Sequence, residues 1–201
     1  MELLPAISIV LVSASAAALI TPLVMRLARA IGAVDRPNER KVSRRDRMPL
    51  LGGLAVGTGL AAGLAVAFAG FAPRETRVQV SAFCVGALVL IGVGAWDDRF
   101  DLRAWRKLGF QIGTAVLAVG AGFAFDRFSN PIGGTTVVVP GWVMWPVSLL
   151  WIVGVTNAVN LIDGLDGLAA GVGAIIAATL TVICWQAGQW PGVVIGLALF
   201  G

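Results

Sequence analysis

The sequence predicts an all-α polytopic membrane protein. Three observations lead there: apolar runs of bilayer-spanning length, too few charges to coat a soluble domain, and basic residues gathered in alternate connecting loops. Hydrophobic residues make up 58% of the 201 and charged residues 13%, with a mean hydropathy of +0.88. A soluble domain of this length needs a polar shell that such a composition does not supply.

The elements follow in order. Residues 3–25 form the first apolar run. As a helix it is ~34 Å long, too long for the core of a signal peptide, and no basic stretch precedes it. Further spans are expected at 50–71, 78–96, 108–125, 141–159 and 168–186, for six complete transmembrane helices. After Trp190-Pro191 another apolar run starts and stops at Gly201; it reaches only ~15 Å, half a bilayer. The expectation is a truncated seventh span, within a single transmembrane domain over 1–201 that is C-terminally incomplete. Two connections stand apart. Residues 129–142, SNPIGGTTVVVPGW, pass from turn formers through β-branched residues to Pro-Gly, which predicts a short extracytoplasmic β-hairpin. Residues 26–49 form a long polar loop dense in positive charge.

Charge sets the orientation. Arg26, Arg29, Arg36, Arg40, Lys41, Arg44, Arg45 and Arg47 lie in the first connection, and Arg99, Arg103, Arg106 and Lys107 in the third. Only Arg74, Arg77 and Arg127 fall on the opposite side. Twelve of fifteen basic residues on one side is a positive-inside bias, so the N-terminus is outside and the connections after spans one, three and five face the cytoplasm. The acids sort the same way: Asp35, Glu39, Asp46, Asp97, Asp98, Asp101, Asp163 and Asp166 are cytoplasmic, while Glu2, Glu75 and Asp126 are opposite. Solvation alone does not require such sorting, whereas a shared cytoplasmic site explains it. The net charge of +4 is explained by topology, because apolar runs separate the charges; no nucleic-acid partner is expected.

Residue types narrow the chemistry. Cys84 and Cys184 stand far apart inside apolar runs and read as small packing residues. The chain has no histidine, which removes imidazole-based zinc sites and Ser-His-Asp or Cys-His catalysis. A metal would be held by oxygen ligands, which favours Mg2+ or Mn2+. The spacings Gly53…Gly57, Gly59…Gly63, Gly109…Gly113 and Gly167…Gly171 are small-xxx-small patterns expected at helix contacts. Gly92-Val93-Gly94 lies inside a span and opens no dinucleotide site.

Three polar clusters remain. WDDRFDLRAWRK, residues 96–107, closes the third span. Adjacent carboxylates at a membrane boundary must be solvated, paired or metal-bound. On a helix Asp97 and Asp98 point about 100° apart, so Asp97 is expected to share its face with Asp101. A solvated, salt-bridged loop would also accommodate these charges. TNAVNLIDGLDGLAAG, residues 156–171, places Asn157, Asn160 and Asp163 at every third position at the end of a span, with Gly164 and Gly167 breaking the helix around Asp166. Two amides and two carboxylates there are good polar ligands, and a capping turn is the plainer reading. AVDRPNERKVSRRDRMPLLGGLAV, residues 33–56, suits a phosphorylated ligand, anionic headgroups or a topogenic loop.

Together the clusters resemble the polyprenyl-phosphate N-acetylhexosamine-1-phosphate transferase family. The order runs DxPNxRK (Asp35, Pro37, Asn38, Arg40, Lys41), then Gly52-Gly53, then DD…L…K…Q (Asp97, Asp98, Leu102, Lys107, Gln111), then NxxNxIDGLDGLA. The resemblance implies an Mg2+-dependent transfer of a sugar 1-phosphate from a UDP-sugar to a polyprenyl phosphate, giving UMP. It implies that Asp98 meets the lipid phosphate, as its base or partner, with Asp97 in the same metal or phosphate environment. Asp163 and Asn160 would serve the metal and nucleotide, Asp166 the uracil, and Lys107 a phosphate. Asn38, Arg40, Lys41 and Asn157 complete the expected substrate contacts, and Asp97, Asp98 and Asp163 the expected metal ligands. The loop resembles the branch that uses UDP-N-acetylglucosamine to start cell-envelope polysaccharides such as teichoic acid or O-antigen, at the inner (plasma) membrane, and a homodimer is compatible with it. Two departures stand out. Ser43 occupies the position where the family has a histidine, and a later Asp motif and His-rich loop would lie beyond Gly201. A transporter, or a non-catalytic scaffold on the same fold, is the alternative.

Overall fold

The computed structural model describes residues 3–34, 48–70, 73, 76–129, 133–162 and 167–201. Seven helices and one small sheet account for them: α1 (Leu3–Ile31), α2 (Gly52–Gly70), α3 (Arg77–Phe100), α4 (Ala104–Gly120), β1 (Arg127–Ser129), β2 (Thr136–Val138), α5 (Gly141–Ile162), α6 (Leu168–Gln186) and α7 (Trp190–Phe200). The chain is a helical polytopic membrane protein. In the most apolar stretches of α3 and α5 only 6% of residues are buried, so their large side chains face outward, an arrangement suited to hydrocarbon and not to water.

Among the described residues five helices are long and apolar enough to cross a bilayer, α1, α2, α3, α5 and α6, one fewer than the six complete spans expected. The difference lies in α4. It has 17 residues, carries Arg106 and Lys107 near its start, and stops at Gly120 rather than continuing to residue 125. Its end is set by Gly122 at φ +100°, which lets the Phe123 N–H donate back to the Ala118 carbonyl at 3.0 Å, the hydrogen bond of a glycine-terminated helix. At ~25 Å, α4 falls short of the hydrocarbon thickness. By contrast α1 continues six residues past the expected residue 25, carrying Arg26 and Arg29 on helix. Gly32 at φ +73° then closes it, with the Ala33 N–H on the Ala28 carbonyl at 2.8 Å.

The expected hairpin is present. β1 and β2 pair antiparallel, Arg127 opposite Val138 and Ser129 opposite Thr136. The Phe125 N–H donates to Ser148 Oγ at 2.9 Å, tying the hairpin's root to α5. The half-length run after Pro191 is α7, an 11-residue helix with its proline in the first turn. It is the most enclosed element, packed on α1, α2, α3 and α6. One core cluster joins Ile9, Leu60, Leu64, Val80, Val194 and Ala198. A second, where α1 ends and α2 begins, joins Val24, Ala28, Ala33, Leu51 and Ala55. Ser13 donates to the Ala198 carbonyl at 2.6 Å across the first core, a buried polar contact of the kind that substitutes for hydrophobic drive between membrane helices. From this core α3, α4 and α5 follow as successive neighbours, and α5 touches α6 only lightly.

Candidate active site

The site grows from the last turn of α3. Asp101 takes a left-handed φ of +51° and its N–H closes on the Asp97 carbonyl at 2.9 Å, so the helix ends at Phe100. Aspartate is one of the few residues besides glycine that tolerates this conformation. The expected pairing of Asp97 with Asp101 on one helical face therefore does not form, because Asp101 has already left the helix.

Asp97 instead looks toward α4. Its Oδ1 accepts the Leu102 N–H at 2.9 Å, and its Oδ2 pairs with Lys107 Nζ at 2.6 Å. Both side chains are partly shielded, 25% exposed for Asp97 and 32% for Lys107. A pair this open contributes about 1 kcal/mol or less by itself; its larger effect is to hold the lysine and the start of α4 at a fixed place beside α3.

Asp98, one step round the helix, looks toward α2. Its Oδ2 accepts the Leu51 N–H at 2.9 Å. Leu51 has a φ of +71°, a left-handed conformation that costs a residue with a Cβ roughly 1–2 kcal/mol. Next to it Gly52 and Gly53 open α2, where an added Cβ would meet nothing among the described residues. Asp97 is thus turned toward Lys107 on α4 and Asp98 toward a backbone amide at the start of α2.

One turn beyond Lys107, Gln111 meets α5. Asn157 Nδ2 donates to Gln111 Oε1 at 2.8 Å and to the Val153 carbonyl at 2.8 Å, and Gln111 Nε2 returns to Asn157 Oδ1 at 3.5 Å. Lys107 and Gln111, four residues apart on one face of α4, therefore stitch α3 to α5 through the candidate residues Asp97 and Asn157. Asn160 is exposed on the last turn of α5, which runs three residues past the expected residue 159. Asn38, Arg40, Lys41, Asp163 and Asp166 lie outside the described residues. The root of the basic segment is described: Val34 bridges Pro49 and the Leu50 N–H donates to the Ala33 carbonyl at 3.0 Å, so its two ends meet beside Leu51.

Among the described residues no group of three or more acidic, cysteine or histidine side chains could hold a metal. Of the three expected metal ligands, Asp97 and Asp98 are described. This donor set still fits Mg2+, which takes hard oxygen ligands and is commonly held by one or two carboxylates together with substrate phosphates. Sequence reasoning missed Leu51, whose contribution is a backbone N–H that no side-chain motif announces. Gln111 stood in the motif but not among the expected site residues; its i+4 spacing from Lys107 was the available signal.

Residues 80–201 match glycosyl transferase family 4. The chain belongs to that family. Among curated relatives, a probable undecaprenyl-phosphate N-acetylglucosaminyl 1-phosphate transferase of Bacillus subtilis (strain 168) is 44% identical over 171 residues, 85% of this chain and 46% of the relative. A decaprenyl-phosphate N-acetylglucosaminephosphotransferase of Mycobacterium tuberculosis (strain ATCC 25618 / H37Rv) is 38% identical over 160 residues, 77% of this chain and 39% of the relative. The undecaprenyl-phosphate alpha-N-acetylglucosaminyl 1-phosphate transferase of Escherichia coli (strain K12) is 30% identical over 164 residues, 82% of this chain and 43% of the relative. The chain thus spans less than half the length of these relatives. The family match takes in α3, α4 and α5, and with them Asp97, Asp98, Lys107, Gln111, Asn157 and Asn160.

Proposed function

We propose that this chain acts in the transfer of N-acetylglucosamine 1-phosphate from UDP-N-acetylglucosamine to a polyprenyl phosphate, with release of UMP. The reaction takes place at the cytoplasmic face of the inner (plasma) membrane and begins a cell-envelope polysaccharide. The observation that carries this reading is the pair of differently anchored carboxylates at the boundary end of α3, with a lysine and an amide-bearing helix joined to them through α4. An oxygen of the lipid phosphate attacks the β-phosphorus of the nucleotide sugar. A new phosphorus–oxygen bond forms, the bond from the β-phosphorus to the oxygen bridging the two phosphates breaks, and that oxygen leaves with UMP.

Both reactants are anions, so the barrier is dominated by charge and positioning. Asp98, turned toward the start of α2 by the Leu51 N–H, is suited to orient the lipid phosphate and take its remaining proton. Lys107 places positive charge beside the reacting phosphates while Asp97 fixes where it stands. Asn157 and Asn160, with Asp163 and Asp166 beyond them in sequence, would serve the nucleotide, and Asn38, Arg40 and Lys41 the anionic substrates. Mg2+, which Asp97, Asp98 and Asp163 would hold, would neutralise the diphosphate when bound. A transporter is not favoured, because the described acids sit at helix ends or in connections and none lies mid-span.

The test is UMP release from UDP-N-acetylglucosamine by membranes carrying the chain, with added undecaprenyl phosphate and Mg2+. The expected result is metal-dependent release that disappears in Asp98→Asn. Undiminished turnover in that variant would overturn the role of Asp98, and no release from the unaltered chain would overturn the proposal for this chain.

A further inference from the structure

We propose that Leu51 is a positioning residue that locks the Asp98 carboxylate to the root of the basic segment, so that the two are set as one unit. The backbone and side chain of Leu51 make opposite demands. Its φ of +71° belongs to glycine's territory, yet a glycine would leave nothing in the pocket that the leucine fills. The residue is 3% exposed, in a cluster with Ala28, Ala33 and Ala55, against which Ala95 of α3 also packs. A bulky residue held in a sparsely populated conformation points to function when its surroundings over-determine it, and here they do. The Leu50 N–H is tied to the Ala33 carbonyl at 3.0 Å, and the Leu51 carbonyl accepts the Leu54 N–H at 3.0 Å as α2 begins. Turning Leu51 to an ordinary negative φ would swing its N–H away from Asp98 Oδ2, now 2.9 Å distant.

The alanines on α1, α2 and α3 give the plug its place. They gather α1, α2 and α3 around the cluster that holds the leucine, and Ala95 stands three residues before Asp98 on the same helix. A displacement of the segment's root is therefore transmitted to the carboxylate through one rigid residue. The chemical consequence rests on the transferase reading; the clamp itself does not.

The experiment has two arms on the full chain in lipid nanodiscs. In the first, hydrogen–deuterium exchange is followed over residues 50–54 in the unaltered protein and in Asp98→Ala. Loss of the acceptor is expected to speed exchange at the Leu51 amide about fivefold or more, and unchanged exchange would overturn the clamp. In the second, UMP release is compared in Leu51→Gly, which keeps the N–H and the φ but removes the plug, and in Leu51→Met, which retains it. Leu51→Gly is expected to lower kcat about tenfold per folded molecule with KM for the nucleotide sugar unchanged, and Leu51→Met to stay within about twofold. A Leu51→Gly protein with full kcat, or one impaired only in folded yield, would sink the positioning role. Exchange that responds as expected in a protein that releases no UMP would leave the clamp standing and remove the transferase reading instead.

Discussion

Asp97 and Asp98 are neighbours of identical chemistry, and their surroundings separate them. Asp97 has a donor on each oxygen, Leu102 N–H and Lys107, and so fixes the corner between α3 and α4 as well as carrying charge. Removing its cation leaves a carboxylate at a membrane boundary without its main counterion. Lys107→Met is expected to lower transferase activity about 10- to 100-fold, as loss of a supporting partner commonly does. Lys107→Arg should recover part of it, because it restores the charge but not the single-point geometry at 2.6 Å. Steady-state rates of UMP release check both; a Lys107→Met protein with wild-type rates would show the pair to be incidental. The sequence displayed both residues as candidates, but their ion pair was not legible. Ten residues and a helix break separate them, and a left-handed Asp101 decides how the chain turns back.

At the scale of elements, the glycine spacings divide once the helices are packed. A Cβ at Gly59 would meet the Ser13 carbonyl and Ala17 Cβ at 2.9 Å, and one at Gly63 would meet Ala198 Cβ at 3.0 Å and Ser13 Cβ at 3.1 Å. Gly57 lies against Ile91, while Gly53, Gly109, Gly113, Gly167 and Gly171 have nothing within 4 Å among the described residues. The small-xxx-small reading thus holds for Gly59…Gly63 and fails for Gly109…Gly113 and Gly167…Gly171. Gly63→Leu is expected to destabilise the bundle by about 1–3 kcal/mol through overpacking, seen as a lower thermal midpoint in detergent. Gly109→Ala should be neutral or stabilising by up to about 1 kcal/mol, since it adds helix propensity into open space. Equal losses in the two variants would mean that the packing described for α2 is wrong. The spacing alone could not separate these cases. A nearly uniform apolar helix carries no amphipathic direction, so its neighbours select the face it presents.

For the whole molecule, the testable property is orientation. The α3–α4 corner bears Arg99 over the Phe100 ring at 5.2 Å and Arg106 over the Trp105 ring at 5.4 Å, basic and aromatic groups suited to a cytoplasmic interface. The opposite end carries the β1–β2 hairpin and an exposed Trp142. With Cys84 and Cys184 replaced by alanine, a cysteine introduced by Val137→Cys is expected to react with a membrane-impermeant maleimide in intact cells. Arg103→Cys should react only after permeabilisation. The reverse pattern would invert the topology and place the candidate site outside.

Membrane character, the hairpin and the three polar clusters were all determined by the sequence, because run length and turn chemistry are properties of the linear chain, and charge placement gives the orientation expected of it. The family resemblance rested on the same linear order. The tertiary structure decided which partner each polar group takes: Lys107 for Asp97, Gln111 for Asn157, and the Leu51 amide for Asp98. It also decided that α4 stops short of a full span and that α7 lies enclosed among other helices. Those outcomes depend on how helices rotate and tilt against one another. In a lipid-facing bundle a few close contacts set that rotation, and no periodic pattern along any single helix encodes it.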